Sequence, residues 1–292
     1  MNMQKPSIAI VGAGKVGTAL AVLLKSKGYP VVGIASRTNQ SARLAAARVL
    51  TDVAEKPEDI ASKAEVVFIT TPDRVIAEVD REIMQNGGYR PGTIVVHTSG
   101  SQPASILKSA SGAGAYVVSI HPLQSFADVQ VAIHNIPGSY IALDGDSEAM
   151  PVAEMIVSDL EGKKFIIAAK DKPLYHAAAC IASNYLVSLL HFCTGLYEKF
   201  GLTRQQALEA LYPLIQGTLN NTTQVGPVRA LTGPISRGDT PTVESHLKAF
   251  TGCNALENDL YRKLGLYTVK VALEKGTIND EQAFELNQLL DM

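Results

Sequence analysis

The feature that most constrains this chain lies near its beginning. An apolar run at residues 7–11 leads directly into Gly12-Ala13-Gly14-Lys15-Val16-Gly17, and an apolar-periodic stretch follows to Lys27. The GxGxxG pattern alone is common. Here it stands between a strand-type run and a helix-type run, which is the context its mechanism requires. Gly12 permits a tight turn, Gly14 lets the backbone approach a pyrophosphate, and Gly17 lets the helix pack closely on the strand. The helix start at Lys15 and Val16 offers N–H groups without intrahelical partners, and a partial positive charge, to phosphate oxygens.

The rest of the first half supplies the strands that such a unit needs. Apolar runs at residues 31–35, 65–70, 93–97, 116–120, 140–143 and 164–168 alternate with helical stretches, one of them at 147–160. That alternation predicts βαβ units and a largely parallel, doubly wound sheet. Runs without internal alternation fit strands covered on both faces. Beyond Asp171 the strand signals vanish. Thr203-Arg204-Gln205-Gln206 has the form of a capping box, and Asn279 is placed to cap a last helix. The expectation is an α/β dinucleotide-binding domain over residues 1–170 and an all-α domain over residues 171–292.

The end of the second strand selects the dinucleotide. A site for an unphosphorylated ribose usually closes this strand with Asp or Glu. This chain has Ser36-Arg37-Thr38-Asn39. Arg37 can pair with a 2′-phosphate through its fork of donors, and Ser36 and Thr38 can add hydroxyl bonds. NADP(H) is therefore expected over NAD(H). Thr70, Thr71 and Pro72 end the run at 65–70 and fall where the nicotinamide half would lie. Asp73 is equally suited to capping the helix that follows.

Two histidines, His97 and His121, end strand-type runs and so point to the ligand-binding edge of the sheet. Each can act on a substrate or simply close a loop. Ser99 and Gly100, which follow His97, are candidates for holding a substrate. Residues 175–197 carry no Asp, Glu, Lys or Arg, yet His176, Cys180, Asn184 and Ser188 recur there at steps of four, on one helical face. A polar stripe on an apolar helix costs stability unless it is satisfied or used. Reduction of a carbonyl or imine needs a proton or hydrogen bond opposite the hydride. His176 is the candidate donor, Lys172 one turn earlier is its alternative, and Asn184 would position the oxygen or a carboxylate. Arg237, in the glycine-rich segment 231–239, is the candidate grip for an acid substrate. A local pair with Asp239 is the structural alternative.

Composition narrows the class. The 292 residues are 46% hydrophobic and 18% charged, with a net charge of −2. Soluble proteins average about 25% charged residues. No basic field is available for nucleic acid. The shortage of charge points to surface that faces a partner or a second subunit. The uncharged stretch is expected to be a covered helix rather than a membrane span, because it carries His176, Asn184 and His191. Cys180, Cys193 and Cys253 show no metal spacing and suggest a reducing cytoplasm, with no metal. The first apolar run stops at Gly12, so no secretory leader is expected.

Five motifs together carry a family resemblance: GAGKVG at 12–17, HTSG at 97–100, HPLQSF at 121–126, KPLYHAAACIASN at 172–184 and LTGPISRGD at 231–239. The chain resembles, over nearly its whole length, two-domain proteins with a Rossmann-like domain followed by a domain of unknown function, DUF2520. The resemblance implies a Rossmann domain plus a helical domain similar to that of 6-phosphogluconate dehydrogenase. That superfamily includes β-hydroxyacid dehydrogenases, ketopantoate reductases and pyrroline-5-carboxylate reductases, many of them dimers through the helical domain. The implied activity is NADPH-dependent reduction of a small 2-oxo or 3-oxo acid, with 2-dehydropantoate (ketopantoate) first. Alternatives are a prephenate-type or pyrroline-5-carboxylate-type enzyme and a non-catalytic NADP(H)-sensing module. The ketopantoate reductase pattern, Lys then Asn four and eight residues later, puts His176 at the lysine when Asn184 is aligned with the second Asn. The β-hydroxyacid dehydrogenase pattern, Lys then Asn four later, puts Lys172 at the lysine and His176 at the Asn.

Overall fold

Alternate residues of each central strand face opposite ways, and both sets are apolar. In β1 (Ile8–Val11), Ile8 and Ile10 join one buried cluster while Ala9 and Val11 join another. A strand of this kind must be covered on both faces. Seven more strands complete the sheet: β2 (Val31–Ala35), β3 (Val53–Ala54), β4 (Val66–Ile69), β5 (Ile94–His97), β6 (Tyr116–Pro122), β7 (Tyr140–Gly145) and β8 (Lys163–Ile166). Their order is β3-β2-β1-β4-β5-β6-β7-β8. All pairs from β3 to β6 are parallel. β7 runs antiparallel to β6, and β8 parallel to β7. The structure, a computed structural model, describes residues 4–291.

Helices α1 (Lys15–Ser26), α2 (Asn39–Val49), α3 (Pro57–Ala61), α4 (Ile76–Gln85), α5 (Lys108–Gly112), α6 (Val129–Asn135) and α7 (Met150–Asp159) divide between the two faces. Leu20 and Leu24 of α1, Ala45 of α2, Ile136 beside α6 and Ile156 of α7 pack on the Ile8, Phe68 and Val96 side. Ile60 of α3, Ile76 and Ile83 of α4 and Ala110 of α5 pack on the Ala9, Val67 and Val95 side. Each large aliphatic side chain buried in this way contributes about 1.5–3 kcal/mol. The result is a rigid sheet whose chain order reverses at β1, between β2 and β4. Open α/β sheets bind ligands outside the carboxyl ends of the strands at such a point.

The chain divides into two compact units, the first ending at Tyr185 and the second starting at Leu186. After β8 the first unit closes with α8 (Lys172–Cys180) and a π-helical turn, Ile181–Tyr185. The helical path continues into α9 (Leu186–Glu198), and the run Ala169–Glu198 is long and apolar enough to cross a membrane by length and composition.

The second unit adds α10 (Arg204–Val225), α11 (Pro227–Ala230), α12 (Thr240–Ala249), α13 (Ala255–Lys275) and α14 (Asp280–Asp291). The expected capping box forms at Thr203 and Gln206, and Asn279 exchanges the matching pair of bonds with Gln282. The core joins Val243 and Leu247 of α12, Val269 and Ala272 of α13, and Leu286 and Leu290 of α14. In contrast, Ala207 is the one buried residue among those described in α10, while Tyr212, Leu214 and Tyr267 stay exposed.

Candidate functional site

The three glycines of the first turn each show a distinct steric reason. Gly12 has φ +113°, and a Cβ there would stand 2.8 Å from the Thr70 carbonyl carbon. A Cβ on Gly17 would stand 2.1 Å from the Gly12 carbonyl oxygen and 2.3 Å from Thr70 Oγ1, so α1 could not pack as it does. Above Gly14, nothing lies within 4 Å of the Cβ position. That open space borders the start of α1, where no side chain caps the helix and no acidic residue occupies the first turn. These are the properties of an anion cradle.

The cradle opens into a cavity of about 680 Å³ lined by Ser36, Arg37 and Thr38 after β2, Gly12 and Gly14 after β1, and Thr70, Thr71 and Pro72 after β4. All the expected cofactor residues except Lys15, Val16 and Gly17 line it, and those three form the first turn of α1. Thr71 Oγ1 is buried there without a hydrogen-bond partner. The Thr70 and Thr38 hydroxyls are already engaged. Thr70 Oγ1 donates to the Gly12 carbonyl at 2.6 Å, and Thr38 caps α2 through Ser41. Sequence reasoning missed Arg74, Glu55, Glu78 and Glu82, which line the same cavity. Surface-type residues on α4 and beside β3 carry no signal until the fold brings them to the sheet edge.

Farther along the edge, the ends of β4, β5 and β6 meet. Asp73 does not cap the following turn. Its Oδ2 accepts from Ser99 Oγ at 2.6 Å and from Ser101 Oγ at 3.0 Å. His97 closes a loop: its Nδ1 accepts from the Ser99 N–H at 3.1 Å, so Nε2 carries the proton and faces the Pro103 carbonyl at 3.2 Å. Burial, and then the charge of Lys172, pull the His97 imidazole down to about 4, which keeps it neutral.

Lys172 is fully buried. Its Nζ donates to Ser119 Oγ at 2.7 Å, and that hydroxyl donates to the Ser99 carbonyl at 3.3 Å. Burial lowers the ammonium to about 8, against the pull of the Asp144 and Asp73 carboxylates. His121 Nδ1 lies 2.8 Å from Tyr175 Oη. Burial, then the charges of Lys172 and His176, take His121 down to about 4. His121 and His176 converge on Gly100, where a Cβ would stand 2.7 Å from His121 Nε2 and 2.6 Å from His176 Cδ2. Gly100 is glycine because two imidazoles occupy the space a side chain would need. His176 Nδ1 lies 3.8 Å from Cys180 Sγ, one helical turn on.

The structure therefore brings Ser99, Gly100, His121, Lys172 and His176 to one edge of the first unit. Asn184 lies on the π-turn that ends that unit. Arg237 belongs to the second unit, where its guanidinium is largely exposed and stands 3.9 Å from Asp239. Asp239 is itself engaged as the cap of α12, accepting from Thr242 N and Thr242 Oγ1. Ser119 and Tyr175 were not foreseen. Ser119, a lone polar residue inside an apolar strand run, could have been flagged by that position alone.

Comparison with known proteins divides the chain earlier than its two compact units do. A Rossmann-like domain model matches residues 1–122. A model described as a domain of unknown function, DUF2520, matches residues 139–268. No protein of curated function matches the chain. Among solved structures, a proposed NADP oxidoreductase of Bacteroides fragilis is 24% identical, with a TM-score of 0.75 over 91% of this chain and 98% of its own. A Thermotoga maritima protein is 28% identical, with a TM-score of 0.69 over 92% and 97% of the two chains. A pyrroline-5-carboxylate reductase of Coxiella burnetii is 15% identical, with a TM-score of 0.57 over 99% and 97%. The two models follow one another along the chain, a Rossmann-like match and then a DUF2520 match.

Proposed function

We propose that the chain is an NADP(H)-dependent oxidoreductase that reduces a small oxo acid. The observation that carries this reading is the open space above Gly14, continuous with a cavity that holds Arg37 at one end and the orphaned Thr71 hydroxyl at the other. Both features fit a dinucleotide bearing a 2′-phosphate. The Bacteroides fragilis relative, named for NADP, supports the same cofactor.

NADPH, when bound, supplies a hydride to a carbonyl carbon. The chain's own residues would do the rest. The N–H groups of Lys15, Val16 and Gly17 hold the pyrophosphate. Arg37 and Ser36 would hold the 2′-phosphate, and Arg74 lines the same cavity. His176 would give its proton to the carbonyl oxygen, so that with the hydride supplied at carbon one C–H and one O–H bond would form as the C=O double bond is lost. Lys172 is the second candidate for that proton, and its ammonium is held inward on Ser119 Oγ. Ser99, Gly100 and His121 would border the substrate, and Asn184 would orient its carboxylate; Arg237, in the second unit, is kept as a separate candidate for gripping an acid group. We assign cofactor binding to residues 1–170 and substrate and dimer contacts to residues 171–292. The exposed Tyr212, Leu214 and Tyr267 support a homodimer through the helical domain, and the unpaired cysteines support a cytoplasmic setting.

Among oxo acids, 2-dehydropantoate is the first to test. A second reading, reduction of a C=N bond, is favoured by Asp73, whose exposed carboxylate at the sheet edge suits a cationic iminium. The likeness to a pyrroline-5-carboxylate reductase supports that reading too. The test is titration with NADPH and NADH, then NADPH consumption with a panel of 2-oxo acids, 3-oxo acids and cyclic imines. Tight NADPH binding with turnover of one class is expected. Failure to bind NADPH overturns the proposal, and binding without any turnover supports an NADP(H)-sensing module instead.

A further inference from the structure

Tyr175 belongs to neither the cofactor cavity nor the set of expected donors, yet its hydroxyl is spent on one atom, His121 Nδ1, at 2.8 Å. The two rings meet edge to face with centroids 5.6 Å apart, and Phe165 braces the far side of Tyr175 at 5.7 Å. A phenol is a stronger acid than a neutral imidazole N–H, and imidazole nitrogen is a better base than phenol oxygen. The bond therefore runs from Tyr175 O–H to His121 Nδ1. With Nδ1 occupied as acceptor, the single proton of a neutral imidazole must sit on Nε2. Nε2 is the atom that stands 2.7 Å from the Cβ position of Gly100, on the side shared with His176.

We infer that Tyr175 is a positioning residue that locks His121 as its Nε2–H tautomer, so that a neutral imidazole presents one hydrogen-bond donor at the edge of the sheet over Gly100. This rests on reading that edge as the reductase site. The neutral form follows from the surroundings: His121 is half-buried, and the buried Lys172 ammonium, His176 and His97 oppose a positive charge on it, while Asp73 favours one. Tyr175 keeps its proton because burial raises it to about 12. A neutral N–H donor polarises a carbonyl or imine without surrendering its proton, which leaves proton delivery to another group.

The test combines spectra and kinetics on the full chain. Protein carrying ¹⁵N-labelled histidine is compared as wild type, Tyr175→Phe and His121→Gln, the last to assign the His121 signals. Wild type is expected to show His121 as pure Nε2–H at neutral pH. Tyr175→Phe keeps the ring that packs on Phe165 and is expected to show a mixture of tautomers. Its kcat should fall by about tenfold, with NADPH affinity unchanged. A wild-type His121 that is Nδ1–H or doubly protonated at neutral pH overturns the inference. So does a Tyr175→Phe variant that keeps both the pure tautomer and the wild-type kcat. If no oxo acid or imine is turned over, that failure belongs to the proposed function, and the tautomer spectra still decide the role of Tyr175.

Discussion

Lys172 Nζ lies 2.7 Å from Ser119 Oγ, and neither side chain meets solvent. A sealed ammonium with one hydroxyl partner holds its proton weakly, hence the fall from the ordinary 10.5 to about 8. The unfolded chain binds this proton more tightly than the folded one. The burial cost is present in full below about pH 8 and is relieved as pH rises from about 8 to 10.5. Its size is on the order of 3 kcal/mol. Urea unfolding at about pH 7.5 and about pH 9.5 should show this group raising stability at the higher pH, and Lys172→Met should abolish that contribution. An identical pH response in the variant would refute the assignment.

The two edge histidines act at the other end of the scale. His97 and His121 both drop from 6.5 to about 4. The folded protein refuses protons that the unfolded chain accepts, so their contribution is complete above about pH 6.5 and is lost as pH falls towards 4. The urea midpoint should fall across that window, and His97→Asn should flatten part of the slope. A midpoint flat from pH 6.5 to 4 in wild type would contradict the burial of both rings.

Two glycine substitutions separate binding from folding. Gly14→Ala meets no atom within 4 Å, so its melting temperature should stay close to wild type while NADPH affinity falls at least about tenfold. Gly17→Ala places a methyl 2.1 Å from a backbone oxygen and should destabilise the fold itself, by about 1–3 kcal/mol or more. Equal losses of stability in the two variants would remove the steric distinction.

Cofactor choice should reside in the guanidiniums that line the cavity. Arg37→Ala should cut the preference for NADPH over NADH at least tenfold, consistent with about 1.5–3 kcal/mol for a charged hydrogen bond. Arg74→Ala should do the same to a smaller degree. Isothermal titration with both nucleotides gives the ratio directly, and loss of affinity for both in equal proportion would place these arginines elsewhere.

The helical unit makes a separate prediction. Tyr267 is 65% exposed on α13, with Leu264 exposed one turn before it. Tyr267→Glu should shift the sedimentation of the protein from dimer to monomer. A wild type that already sediments as a monomer would exclude the dimer.

The periodic signals made the sheet legible, because strands buried on both faces leave unbroken apolar runs. Only β3 escaped, since two half-buried residues, Val53 and Ala54, are too short to show a period. The glycine turn was legible because each glycine answers a local steric demand. The sheet edge was less so. Asp73, Ser99, Ser119 and Tyr175 are far apart in sequence and are joined only by strand order, so their bonds could not be read from spacing. His97 and His121 look alike in sequence, each ending an apolar run, yet one closes a loop and the other faces Gly100.

The π-turn at Ile181–Tyr185 changes how this helix can be compared with others. An α-helix turns through about 100° per residue, so residues four apart drift by about 40°. A π-turn accommodates one residue more and cancels much of that drift. His176 and Cys180 precede the turn and Asn184 lies within it, so the extra residue offsets the drift only between Cys180 and Asn184. It also means that the two halves of the helix count residues from different origins. An alignment carried through the turn without allowing for the extra residue shifts the polar groups on one side by one position relative to those on the other.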